Sequence, residues 1–146
     1  MNLLPFQEEA VKKTLDFARL NISNRKKLMQ AGLPVTGVGR MSWDGLFPEA
    51  NYSEIIAEGD TSVPNACICI PTGGGKTITG LTASIKILEL LDTQLNFITW
   101  LVPSDAIYQQ VVRDFSPGGS YYQAALSNFG KTLRLLTSSS VWTDDD

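Results

Sequence analysis

Seven consecutive residues, 71–77, combine a glycine run with a lysine and a threonine (Pro-Thr-Gly-Gly-Gly-Lys-Thr). Glycines carry no Cβ, so a loop made of them lets backbone N–H groups approach an anion closely. A lysine after such a loop supplies a mobile positive charge, and a threonine hydroxyl is a suitable ligand for Mg²⁺. The spacing therefore predicts a loop that binds the phosphates of a nucleotide. Its predicted binding residues are Thr72, Gly73, Gly74, Gly75, Lys76 and Thr77.

The context of this loop favours the same chemistry. It lies between an apolar run, residues 66–70, and a segment with helical periodicity, residues 76–91. A strand, a glycine loop and a helix in that order place the phosphates at the positive end of the helix. The strict motif has a glycine where this chain has Ile70. A glycine-rich turn that ends in Lys-Thr by chance is therefore the alternative.

The remaining apolar patterns predict the elements that position the loop. The predicted strands are 66–70, 96–102 and 132–136, and the other predicted helices are 5–30, 105–115 and 121–129. Ser104 is a suitable N-cap for the helix that follows it. Strands that alternate with helices at these lengths predict an α/β fold with a parallel sheet, whose ligands bind at the carboxyl ends of the strands.

Residues 32–64 are rich in Gly, Pro, Asn, Asp and Ser and show no sustained periodicity, so an irregular insertion is predicted there. A short helix is expected at 52–58. A substrate-facing insertion and an elaborated surface loop both remain open. The predicted division is a helical entry segment (1–31), the insertion (32–64) and a partial core (65–146).

The composition and net charge are those of an ordinary globular domain. The chain has 146 residues, 43% of them hydrophobic and 18% charged, with a formal net charge of −3. This charge argues against a globally basic nucleic-acid-binding protein. The charge is uneven, since residues 1–31 hold six basic and three acidic side chains. Either a local basic face or an ordinary solvated helix surface explains this segment.

Cysteine and histidine usage argues against metal and disulfide chemistry. Cys67 and Cys69 are the two cysteines, and the chain has no histidine. We expect both thiols to be small buried hydrophobic groups in a reducing compartment and do not expect a zinc site. No apolar stretch has the length of a membrane span, so a cytoplasmic protein without membrane contact is expected.

Three segments, in order, resemble motifs of the superfamily-2 DEAD/DEAH-box helicases. Residues 4–11 (Leu-Pro-Phe-Gln-Glu-Glu-Ala-Val) resemble their N-terminal glutamine-containing segment, and residues 71–77 resemble motif I. Residues 100–104 (Trp-Leu-Val-Pro-Ser) resemble motif Ia. Within this group, the chain is most similar to the Res subunits of type III restriction enzymes.

The resemblance implies the first RecA-like domain of a P-loop NTPase that hydrolyses ATP with Mg²⁺ to move along or remodel nucleic acid. It implies that Lys76 and Thr77 hold the phosphates and Mg²⁺ and that Gln7 binds the adenine edge. From its spacing alone, an exposed helix glutamine is the favoured interpretation of Gln7. Pro103 and Ser104 would lie at the nucleic-acid backbone. The implied partners are nucleic acid, with DNA favoured over RNA, and a modification or nuclease subunit or a missing C-terminal half.

The chain also departs from the pattern of these helicases. No acidic pair follows an apolar strand, and the terminal residues 144–146 (Asp-Asp-Asp) are expected to be a solvated acidic end. The second RecA-like domain of these helicases, with its arginine fingers, is also missing from the sequence. We therefore interpret the chain as the N-terminal piece of a longer protein. Alone, it is expected to bind ATP weakly and to turn over little ATP.

Two other functions are compatible with the sequence. One is a phosphate-loop NTPase or kinase that does not act on nucleic acid, and the other is a truncated, non-catalytic fragment. The segments 4–11 and 100–104 argue against the first, whereas the missing acidic pair favours the second.

Overall fold

A computed structural model describes residues 3–59, 61–91, 97–121 and 135–137. The chain divides into two compact units, Asn2–Leu91 and Asp92–Asp146. The elements, in chain order, are α1 (Pro5–Gln30), α2 (Val38–Asp44), β1 (Ile55–Ala57), β2 (Thr61–Val63), α3 (Lys76–Leu90) and α4 (Asp105–Phe115). In the described part of the chain, no helix is long and apolar enough to cross a membrane.

Helix α1 is one continuous helix of 26 residues, as predicted from its periodicity. Pro5 occupies its first turn, where the missing N–H costs nothing, and Lys27 lies in the last turn, where it complements the helix dipole. After the helix, Gly32 adopts a positive φ of 66°, and the N–H of Leu33 donates to the carbonyl of Leu28 at 2.9 Å. The helix therefore ends where the glycine predicts.

The core of the first unit lies between α1 and α3. Val11 and Leu15 on α1 pack with Ala83 on α3, and all three are buried. Partly buried side chains extend this cluster: Leu3, Ile87 and Leu90. The predicted helix after the glycine loop is thus confirmed, and its apolar face holds it against α1.

The segment predicted to be irregular contains α2 and a β-hairpin. The strands β1 and β2 pair antiparallel, with Ile55 opposite Val63 and Ala57 opposite Thr61. The expected helix at 52–58 is therefore wrong, because strand pairing across Gly59, with a φ of 75°, replaces local helical bonds. The three-part domain division remains a prediction.

Aromatic side chains pack the segment of residues 32–64 against α1. The ring of Phe17 lies 5.5 Å from that of Trp43 and 6.0 Å from that of Tyr52. Polar contacts support the packing, since the N–H of Gly39 donates to the buried hydroxyl of Ser62 at 3.1 Å. Aromatic pairs at these separations contribute stability beyond their buried area.

The predicted parallel sheet does not appear in the described residues. Residues 66–70 and 97–102 form no strand, and neither do residues 135–137. Most of 132–136 and of 121–129, and all of 144–146, lie outside the described residues. A strand needs a neighbour for its backbone N–H and C=O groups, and an apolar run specifies no partner.

The cysteines differ from expectation for the same reason. Cys67 and Cys69 are exposed free thiols, whereas we expected buried ones. Their predicted burial depended on a strand covered on both faces, and residues 66–69 are all exposed. Only Ile70, at the end of the run, is buried.

In the second unit, α4 has the predicted bounds. The hydroxyl of Ser104 accepts from the N–H of Ile107 at 3.5 Å and caps the helix, as predicted. Phe115 is buried at the other end, with its ring 5.3 Å from that of Trp100. A serine cap and one apolar stripe are local features, so this helix could be predicted closely from sequence.

Candidate nucleotide-binding site

The glycine loop turns sharply before α3. The N–H of Gly74 donates to the carbonyl of Pro71 at 2.9 Å and closes a turn. Gly73 and Gly75 have φ values of 78° and 75°, in the left-handed region that residues with a Cβ rarely adopt. The glycines predicted from sequence therefore occupy positions that require them.

Helix α3 begins at the predicted lysine. Gly75 is its N-cap, so Lys76 and Thr77 form the first turn, where backbone N–H groups lack helical acceptors. The ammonium of Lys76 is exposed and forms no ion pair within the described part of the chain. Unpaired N–H donors, the helix dipole and a free cation at one place suit a phosphate group.

Gln7 links α1 to this loop. Its Nε2 donates to the carbonyl of Gly74 at 2.8 Å, and its Oε1 accepts from the N–H of Leu4 at 2.8 Å. The side chain is only 6% exposed, although it lies in the first turn of a surface helix. The interpretation of Gln7 as an exposed glutamine is therefore wrong, because a contact 67 residues away in sequence buries it.

Close packing leaves no room for a side chain at two positions of the loop. A Cβ added to Gly75 would lie 2.5 Å from Nε2 of Gln7. A Cβ on Gly74 would lie 2.6 Å from Cγ2 of Ile70. Gly73 differs, since a Cβ there would meet no atom within 4 Å. Gly75 is thus required by close packing and by conformation, Gly74 by close packing, and Gly73 by conformation.

Thr79 is a residue that the sequence reasoning missed. Its hydroxyl donates to the carbonyl of Gly75 at 2.9 Å, and the side chain is 1% exposed. This bond, together with the backbone bond from the N–H of Thr79 to the same carbonyl, holds that carbonyl in the helix. A threonine two residues after Thr77 is too common in helices to have indicated this role.

The residues present fit a nucleotide and its metal. Two positive-φ glycines, a helix N-terminus and the free ammonium of Lys76 form a cradle for phosphates, and the half-buried Thr77 offers a hydroxyl to Mg²⁺. When bound, Mg²⁺ supplies charge neutralisation on the phosphates. In the described residues no cluster of three or more acidic, cysteine or histidine side chains forms a metal site.

Replacing Gln7 by alanine is expected to destabilise the first unit by about 1–3 kcal/mol. The change removes two hydrogen bonds and leaves the Gly74 carbonyl without its partner. Urea unfolding measures the loss. Gln30→Ala is the matched control, because Gln30 is an exposed glutamine of the same helix, and such substitutions stay within about 0.5 kcal/mol. Equal losses in the two variants would contradict a linking role for Gln7.

The predicted nucleic-acid contacts lie in the second unit. Pro103 and Ser104 line an open surface depression with Val102, Asp105 and Tyr108. The Ser104 hydroxyl already caps α4, and Asp105 places a carboxylate next to it. The hydroxyl and the first helical N–H groups suit a phosphate, whereas the carboxylate opposes one.

Comparison with protein families decides the affiliation. The family described as type III restriction enzyme, Res subunit, matches residues 1–140. The chain belongs to this family. The Res-subunit match confirms the resemblance drawn from residues 4–11, 71–77 and 100–104. No curated protein and no solved structure matches the chain.

The Res-subunit family is helicase-like, and its match supports an ATP-binding domain of that general type. It implies a RecA-like phosphate-loop fold. The described residues contain the glycine loop and the helices α1 and α3 that pack beside it. Their strands form a two-stranded antiparallel hairpin and not the parallel sheet of that fold. The family generally uses ATP with Mg²⁺, in agreement with the chemistry of the loop.

Proposed function

We propose that this chain is the ATP-binding part of an ATP-dependent nucleic-acid translocase or helicase of the Res-subunit type. The observation that carries the proposal is the left-handed glycine loop that caps α3 directly before Lys76 and is held by Gln7. The intact protein hydrolyses ATP and couples the hydrolysis to DNA or RNA remodelling. DNA is the favoured polymer, and a nuclease or modification subunit is the expected partner.

The proposed roles follow from the chemistry of each group. Lys76 binds the β- and γ-phosphates, and Thr77 binds Mg²⁺. The backbone of residues 72–75 surrounds the phosphates. Hydrolysis at such a site depends on positioning and on stabilisation of the phosphoryl charge, and lysine contributes both.

Gln7 binds the adenine edge in this proposal. Its amide has two N–H donors and two acceptor lone pairs, and the bonds to Gly74 and Leu4 occupy one of each. One donor and one acceptor remain for a base that offers an acceptor beside a donor, as adenine does at N7 and the N6 amino group. Gln7 thereby links the base to the loop that holds the phosphates. Pro103 and Ser104 are the proposed contacts to the nucleic-acid backbone.

Lys76→Ala is expected to weaken Mg²⁺-ATP binding by about 10- to 150-fold. Hydrogen bonds to charged groups contribute about 1.5–3 kcal/mol, and each 1.4 kcal/mol changes Kd by about tenfold. Titration calorimetry on the purified chain measures the change. Lys86→Ala is the control, since Lys86 is an exposed lysine of the same helix, and its Kd should equal that of the wild type. Unchanged binding in Lys76→Ala would refute the assignment of the loop.

An ATP-hydrolysis assay with and without nucleic acid separates the proposal from its main rival. A phosphate-loop NTPase or kinase that does not act on nucleic acid would bind Mg²⁺-ATP through Lys76, but DNA and RNA would leave its ATP hydrolysis unchanged. Stimulation of hydrolysis by a single-stranded oligonucleotide, lost in Lys76→Ala, supports the translocase.

A further inference from the structure

The solvent face of α1 changes its charge pattern halfway along the helix. In the first half, each lysine has an acidic partner one turn away. Lys13 pairs with Glu9 at 2.9 Å, and Lys12 pairs with Asp16 at 2.7 Å. These hydrogen bonds lower the pKa of both carboxyl groups. The acids therefore remain ionised, and the negative charge of each carboxylate offsets the positive charge of its lysine. This half of the helix presents little net charge.

The second half presents uncompensated positive charge. Its exposed residues are Arg19, Ser23, Lys26, Lys27, Met29 and Gln30, and we call the five polar ones the basic stripe. Residues 17–43 contain no aspartate or glutamate. In the described part of the chain, Lys26 and Lys27 form no ion pair. Arg19 shares Asp16, at 3.5 Å, with the closer Lys12.

The stripe is a continuous surface that faces away from the packed side of the helix. Apart from the adjacent Lys26 and Lys27, its members follow each other at steps of three and four residues, which places them on one side of a helix. Two residues between them turn toward the protein: Asn24 donates to the Ser42 hydroxyl at 3.1 Å on α2, and Arg25 donates to the Ser62 carbonyl at 3.4 Å on β2. The basic stripe is therefore free for a ligand.

The composition and length of the stripe fit a polyanion with evenly spaced charges. Residues 19–30 extend over about 16 Å of helix, at about 1.5 Å per residue. One strand of DNA presents a phosphate about every 3.4 Å along its axis, so several phosphates fall within this length. Serine and glutamine side chains add neutral donors of the type that bind phosphate oxygens.

A membrane surface fits the stripe less well. Interfacial helices insert an apolar face beneath their basic residues. The apolar face of α1, with Val11, Leu15 and Phe17, is buried within the protein. It is not available for lipid.

We propose that the basic stripe binds the phosphodiester backbone of nucleic acid. This contact is additional to the one at Pro103 and Ser104, and it deepens the proposed function by assigning a second nucleic-acid surface, on the unit that holds the nucleotide loop. Because the stripe contacts phosphates and no base edges, its binding is independent of nucleotide sequence and sensitive to salt.

The test compares two variants that each remove three positive charges. The stripe variant is Arg19→Gln, Lys26→Gln and Lys27→Gln; the control is Lys12→Gln, Lys13→Gln and Lys86→Gln. Glutamine retains helix propensity. Fluorescence anisotropy measures the Kd for a labelled 20-nucleotide single strand between 50 and 200 mM salt. Circular dichroism and urea unfolding establish that both variants fold.

The stripe variant should lose the salt dependence that three phosphate contacts produce. The slope of log K against log salt should become shallower by about 2, since each contact to a single strand contributes about 0.7. Over the fourfold salt range, the wild type then loses about twentyfold more affinity than the stripe variant. The control should retain nearly the whole slope.

Three results would overturn the inference. An equal loss of slope in both variants would assign the effect to net charge. No loss of slope in the stripe variant would show that the stripe does not contact phosphates. Binding of the wild type to anionic lipid vesicles, without binding to the oligonucleotide, would assign the stripe to a membrane surface. Calorimetry with Mg²⁺-ATP on the same proteins keeps the proposed function separate. Failure of the stripe leaves nucleotide binding intact, whereas failure of the nucleotide site is seen in the wild-type chain without any oligonucleotide.

Discussion

Gly75→Ala is expected to abolish measurable Mg²⁺-ATP binding and to destabilise the first unit by about 2–4 kcal/mol. A residue with a Cβ at a φ of 75° costs about 1–2 kcal/mol. The new Cβ would also lie 2.5 Å from Nε2 of Gln7. Relief of that overlap requires Gln7 to move, which breaks its 2.8 Å bond to the Gly74 carbonyl. The substitution therefore displaces the backbone of the glycine loop as well as straining it.

Gly73→Ala is the matched control for this prediction. Its φ of 78° is nearly the same, but its added Cβ would meet no atom within 4 Å. It should therefore show the conformational cost alone, about 1–2 kcal/mol. Urea unfolding and titration calorimetry of both variants measure the difference.

A double-mutant cycle attributes this difference to Gln7. In a Gln7→Ala background the overlap with Gln7 is absent and only the 3.2 Å approach to Cγ2 of Ile78 remains, so most of the excess cost of Gly75→Ala over Gly73→Ala should disappear. Equal costs of the two glycine substitutions in the wild-type background would show that Gln7 does not contact the loop as the structure describes. Wild-type ATP affinity in Gly75→Ala would refute the role of the loop itself.

Leu81→Ala is expected to destabilise the first unit by about 2–5 kcal/mol. Leu81 is 2% exposed on α3, so its truncation removes buried apolar surface and leaves a cavity. Small domains have total stabilities of about 5–15 kcal/mol, so the loss is a large share of the total. The midpoint of urea unfolding measures the shift.

Leu33→Ala is the control, because Leu33 is 54% exposed in the same unit and should change stability by less than about 0.5 kcal/mol. ATP affinity at low urea, corrected for the unfolded fraction, should remain near the wild-type value in Leu81→Ala. A small effect on stability would mean that α3 does not pack as the structure describes.

The helices could be predicted because their signals are local. Pro5 begins α1, the Ser104 hydroxyl caps α4 through a residue three positions away, and Gly75 is the N-cap of α3. Each helical hydrogen bond joins residues four apart, so a short stretch of sequence contains most of the information.

The strands could not be predicted in the same way. Residues 66–70 are apolar and rich in strand formers but are unpaired in the structure, whereas Ile55–Ala57 and Thr61–Val63 pair across a glycine-containing turn. A Gly within a short connection between two β-branched segments is a hairpin signal. It was available at Gly59, but the surrounding polar residues indicated an irregular segment.

By itself, the sequence determined the place of the glycine loop, the start of α3, the bounds of α4 and the Res-subunit affiliation, since all depend on residue type and short spacing. Only the tertiary structure decided that Gln7 is buried against Gly74 and that Cys67 and Cys69 are exposed. Burial and strand pairing depend on groups far apart in the chain, whose approach is governed by packing of whole elements rather than by local preference.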